Sequence, residues 1–109
     1  MSEEIPQTRK AVRIPLSISV RVTGLDSTNK TFTEIMRTGN VSKIGAFLIT
    51  ERTLLSGAVL KIESANKKLS TNEEILAKVA SVIPRKRFAG VGVKIIKGQD
   101  AWKELITSL

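Results

Sequence analysis

Between Val12 and Val22 every second residue is apolar. Val12, Ile14, Leu16, Ile18, Val20 and Val22 alternate with Arg13, Pro15, Ser17, Ser19, Arg21 and Thr23. Successive side chains of a strand point to opposite faces, so this strict period of two specifies an extended segment with one buried face. Pro15 brings no N–H to a ladder, which places that part of the strand at a sheet edge or at the strand's beginning. Residues 1–11 are largely polar and charged and read as a mobile N-terminal arm, leaving residues 12–109 as the folded unit.

The remaining segments continue in the same style. Gly24, Asp26, Ser27 and Asn29 mark a turn within 23–31, and Thr31 to Arg37 reads as a second strand with weak alternation. Gly39 and Gly45 bracket a turn-like segment, Asn40 to Ile44, before a short apolar strand from Ala46 to Thr50. Gly57 opens a further strand, Ala58 to Glu63, followed by a polar loop. Residues 74–83 fit helical spacing through Ile75, Leu76, Val79, Ala80 and Ile83, and fit a strand through Ile75, Ala77, Val79 and Ile83. Propensity leans to helix there. The basic turn Pro84-Arg85-Lys86-Arg87 and the alternating Val91, Val93 and Ile95 beyond it favour the strand, because the two segments then form a hairpin. Asp100 is a good N-cap for a terminal amphipathic helix with Trp102, Ile106 and Leu109 on one face. The sum is one mainly antiparallel β domain with a C-terminal helix.

Composition narrows the function. The chain has neither Cys nor His, so the usual zinc, haem and iron–sulfur ligand sets are absent, as are the commonest general base and the thiol nucleophile. Glu34, Glu51 and Glu63 are scattered and mark no paired acid–base site. The expectation is a binding protein with no cofactor and no enzymatic activity. No apolar run reaches bilayer length and the acidic start is unlike a secretory signal, so a cytoplasmic protein without membrane insertion is expected. A formal net charge of +8 points to an anionic partner.

Two short motifs carry the specific signal. Arg9 and Arg13 form R-x-x-x-R where the arm meets the first strand; in one extended segment they share a face, opposite to Val12 and Ile14. Asn40-x-Ser42-x-x-Gly45 forms a polar segment entering a later strand. In order and separation these resemble the PilZ family, whose signature is R-x-x-x-R followed by D/N-x-S-x-x-G. The likeness runs from Arg9 to Ile96 and includes Val12-Arg13-Ile14-Pro15-Leu16, Ala46-Phe47-Leu48 and Gly90-Val91-Gly92-Val93-Lys94. It implies a six-stranded antiparallel β-barrel of the split-barrel type, a short C-terminal helix and a site for the bacterial second messenger cyclic di-GMP on the outer barrel surface. The family often carries a further arginine before the first motif arginine; Thr8 stands there instead, which lowers affinity or favours a single ligand over a stacked pair.

The residue types suit such a ligand. The guanidinium fork binds phosphate oxygens in pairs, matches the O6/N7 edge of guanine and stacks on a base. The resemblance therefore assigns Arg9 and Arg13 to phosphate and guanine edges, with Lys10 as an accessory charge. Asn40 and Ser42 would hydrogen-bond a guanine or the covering arm, and Gly45 would free the turn and let the ligand approach. Ligand binding would order the arm and signal to an effector protein in trans, in motility, exopolysaccharide or virulence control. Two other readings stand beside this one. One is a PilZ-fold adaptor that ignores the nucleotide, and the other is a small basic OB-like nucleic-acid binder. The second is disfavoured because aromatics are few (Phe32, Phe47, Phe88 and Trp102) and most sit in apolar patterns that suggest core burial, whereas single-strand binders expose stacking platforms.

Overall fold

The computed structural model describes residues 12–66, 68–70, 73–84 and 87–107. Six strands appear in chain order: β1 (Ser19–Leu25), β2 (Thr31–Ser42), β3 (Gly45–Thr50), β4 (Val59–Ser64), β5 (Ile75–Pro84) and β6 (Ala89–Lys97). They close into a barrel in the order β1-β2-β3-β6-β5-β4, every pair antiparallel. Closure leaves no unpaired sheet edge, which suits a short chain rich in alternating segments. One helix, α1 (Gln99–Thr107), follows β6.

The barrel interior takes one parity from each strand. Val20 and Val22, Phe32 and Met36, Ala46 and Leu48, Leu60 and Ile62, Ile75, Ala77 and Val79, and Val91, Val93 and Ile95 are all buried in one cluster. Ala101, Trp102, Leu105 and Ile106 add the apolar face of α1 to the same core. Trp102 is wholly buried, and its indole N–H donates to the Ser42 carbonyl at 2.8 Å, as a buried indole requires. The segment expected as a strand at 74–83 is a strand from Ile75 to Pro84, as the hairpin argument favoured. Its partner is β6, with Val79 opposite Val93 and Ile83 opposite Gly90.

Four local expectations are corrected. The first strand does not begin at Val12. Residues 12–18 lie outside the strands, their ladder pairing limited to an isolated bridge, Ile14 to Val41, and Val12 is 81% exposed. Pro15 cannot join a ladder, so pairing becomes continuous only from Ser19. Secondly, Asn40 to Ser42 are strand rather than turn. β2 runs on past Gly39 through a register shift between Thr38 and Asn40, and only Lys43 and Ile44 form the turn into β3. Thirdly, Pro84 closes β5 rather than opening the turn; Arg85 and Lys86 lie outside the described residues. Finally, Asp100 stands inside the first turn of α1. Gly98, at φ 79°, is the cap, and its carbonyl accepts from Trp102 N–H at 2.9 Å. A side chain at 98 would also meet the backbone of Glu74, so both conformation and space reserve the cap for glycine.

Buried Thr38 joins the entry segment to the barrel. Its hydroxyl donates to the Leu16 carbonyl at 2.5 Å and accepts from Ile18 N–H at 3.0 Å, while its own N–H donates to the Ile18 carbonyl at 2.9 Å. One side chain thereby completes the pairing that residues 16–18 do not obtain from a regular ladder.

Candidate outer-wall binding site

The Ile14–Val41 bridge sets the geometry of the site. Ile14 and Val41 exchange both backbone hydrogen bonds, at 2.7 and 2.9 Å. Bridged residues share a face and their chain neighbours share the opposite one, so Arg13, Asn40 and Ser42 come to the same side of the pair. Arg13 Nη1 donates to Asn40 Oδ1 at 2.9 Å, joining the two sequence motifs across 27 residues. Arg13 is exposed and makes no ion pair among the described residues, so its remaining guanidinium donors are open to a further acceptor.

The other predicted site residues divide. Ser42 is buried; its Oγ accepts from Ile44 N–H at 3.3 Å and its carbonyl takes the Trp102 indole. Its hydroxyl thus holds the two-residue turn between β2 and β3. Gly45 is also buried, and a Cβ there would collide with the carbonyl oxygen of Val93 on β6. Its φ is not positive, so the close approach of β6 is what requires glycine. Arg9 and Lys10 lie outside the described residues.

Register then extends the face across three strands. Asn40 pairs with Phe47 and Phe47 with Gly92; Ser42 pairs with Gly45 and Gly45 with Lys94; Arg37 pairs with Ile49 and Ile49 with Gly90. These positions form the outer wall of β2, β3 and β6. The chain from Arg37 to Ile49 and from Gly90 to Lys94 contains no carboxylate, while Arg37, Lys43 and Lys94 are cationic. Arg37 lies at one end, donating through Nε and Nη2 to Ser17 Oγ at 3.1 and 2.8 Å. Lys94 lies at the other, directly opposite Lys78 of β5 and beside a hollow of about 400 Å³. Like charges placed opposite each other repel, so an anion on this wall relieves an existing cost.

Phe47 is one of the four aromatics of which most were expected in the core, and it does not lie there. It is half-buried on the outer face, since Ala46 and Leu48 take the interior parity of β3. Its ring covers the Gly90 position on β6 and lies within van der Waals reach of where a side chain at Gly39 of β2 would begin, so it lies along the wall. Phe88 is likewise 44% exposed. The strand Gly45–Thr50 is apolar on both faces, so periodicity could not assign its parity. The nearest signal was the glycine at 90, which leaves room for the ring.

Among the described residues no group of His, Cys, Asp and Glu could hold a metal ion, and no helix is long and apolar enough to cross a membrane. The chemistry on offer is hydrogen bonding, cationic charge and aromatic surface, which is the equipment of a binding site for a phosphate-bearing, base-bearing ligand.

The sequence pattern of the PilZ domain matches residues 7–109. No curated protein matches the chain. A solved structure, MrkH, described as a novel c-di-GMP dependence transcription regulatory factor, is similar over 94% of this chain with a TM-score of 0.64 and 13% sequence identity. The chain spans 51% of that protein's length, and at this identity the likeness concerns the fold.

Proposed function

This chain belongs to the PilZ domain family, and on that premise we propose that it is a receptor for cyclic di-GMP whose site is the outer wall of β2, β3 and β6 around Arg13 and Asn40. The observation that carries the reading is the Arg13–Asn40 hydrogen bond. It joins the two halves of the family signature on one carboxylate-free, cation-flanked face. MrkH, with the same fold, is named for dependence on this ligand, which supports the same assignment.

The ligand brings two phosphates and two guanines. In this proposal Arg13 turns its free donors to a phosphate or to a guanine O6/N7 edge while Asn40 holds its orientation. Arg9 and Lys10 supply further cations from the arm. Ser42 and Gly45 act from beneath, by fixing the β2–β3 turn and letting β3 lie close to β6. Ligand charge draws residues 1–11 over the wall, and the covered surface is what an effector protein reads in trans. The role is binding rather than catalysis, in the cytoplasm.

Calorimetric titration with cyclic di-GMP at physiological salt tests this, with Arg13→Ala and GTP as controls. Saturable binding by the wild type, lost in Arg13→Ala and absent with GTP, is the expected result. No heat from the wild type at high ligand concentration would sink the receptor reading and leave the fold as a protein adaptor.

A further inference from the structure

Phe47 is the feature of this wall that neither motif contains. It stands opposite Asn40 in the β2–β3 register, one strand from the Arg13–Asn40 pair. Phenylalanine on the outside of a barrel needs a reason, because part of its surface stays in water. Its placement is also constrained: it covers Gly90 of β6, where any Cβ would overlap the ring, and it lies near enough to Gly39 of β2 that a Cβ there would be in van der Waals contact with it. A ring held between two backbones keeps its orientation, so little entropy is lost when something stacks on it. Around it Ile49 is part-exposed, Gly92 adds no side chain, and Lys94 and Arg37 supply charge at the two ends.

We infer that Phe47 is the base-stacking platform of the site: one purine of the ligand lies on the Phe47 ring, which itself covers Gly90, while Arg13 takes the adjoining phosphate or base edge. This rests on the cyclic dinucleotide reading and adds to it the residue that recognises the base as an aromatic surface. It makes β3 and β6 ligand-binding strands in their own right. It also makes Gly90 a specificity device, because a side chain there would lift the ring from the wall.

Three variants of the full chain separate this from a packing role. Phe47→Leu keeps an apolar side chain of similar reach and removes the π face. Its affinity for cyclic di-GMP should fall roughly 5- to 150-fold, the range that base–aromatic stacking gives on truncation, with thermal unfolding close to wild type. Phe47→Tyr should bind as wild type does. Phe47→Trp places an indole on the wall whose fluorescence saturating ligand should quench, against a constant contribution from the fully buried Trp102. Wild-type affinity in Phe47→Leu, or unquenched fluorescence in a Phe47→Trp protein that binds, overturns the platform while leaving the receptor intact. Absence of binding by the wild type overturns both.

Discussion

Thr38→Val is the substitution that best tests how the entry segment is held. Valine matches threonine in shape and fits the same buried position, so the change removes hydrogen bonds and little else. Two are lost: Ile18 N–H to Thr38 Oγ1 at 3.0 Å, and Thr38 Oγ1 to the Leu16 carbonyl at 2.5 Å. The Ile18 N–H is buried and has no water to turn to, which costs about 1–3 kcal/mol for an orphaned donor. The Leu16 carbonyl is only part-buried and can be hydrated, so its share is nearer the net value of one ordinary bond, about 0.5–1.5 kcal/mol. Together the loss is about 1.5–4.5 kcal/mol, a large fraction of the stability of a domain this size. Urea unfolding followed by Trp102 fluorescence measures it, and Thr38→Ser should recover most of the loss. Because residues 16–18 lead directly to Arg13, amide exchange at 14–18 should accelerate more than in the β5–β6 hairpin. A Thr38→Val midpoint within about 0.5 kcal/mol of wild type, the scatter of an ordinary surface change, would refute the clamp.

Three further outcomes are expected. Gly45→Ala should lower stability by about 1–3 kcal/mol without any ligand, the usual cost of overpacking, because its Cβ meets the Val93 carbonyl; a fully stable variant would contradict the packing role. Trp102→Phe leaves the Ser42 carbonyl without its donor and should cost about 1–3 kcal/mol for that group alone, read by thermal unfolding. Asp26 is held below its ordinary carboxylate range, chiefly by the Thr28 hydroxyl, then by the Lys30 and Thr28 N–H groups. A carboxyl with a lowered folded-state pKa adds stability above its unfolded pKa and loses it as pH falls through the folded one. An NMR titration should therefore show Asp26 protonating at lower pH than a free Asp, and Thr28→Ala should move that midpoint upward.

The sequence shows the barrel more readily than the wall. Alternation marked β1 and β6 because interior positions of a closed barrel repeat with period two, as Val91, Val93 and Ile95 do in β6, while turn residues and the hairpin argument supplied the strands between. The same rule misplaced the start of β1. Val12 and Ile14 keep the rhythm but have only one bridge to pair with, and periodicity carries no information about whether a partner strand is present. The length of β2 was hidden by Gly39 and Asn40, which look like turn residues and instead form a bulge. That bulge returns Val41 to the interior and brings Asn40 outward beside Arg13, a juxtaposition across 27 residues that no local pattern encodes. For Phe47 the difficulty was different. Both faces of β3 are apolar, so the side facing water is decided by Val93 and Gly90 on the neighbouring strand. Propensity pointed to Asp100 as the cap, whereas the helix is capped by Gly98, whose positive φ and crowding against Glu74 call for glycine.

The central claim is that the outer wall of β2, β3 and β6 is where the ligand lies. Amide chemical-shift mapping during a titration with cyclic di-GMP tests it most directly. The account predicts that the largest shifts fall on Arg13, Asn40, Phe47, Gly90 and Gly92, with the β4 strand and the far side of β1 unmoved. Shifts concentrated on β4, or no shifts at saturating ligand, would contradict it.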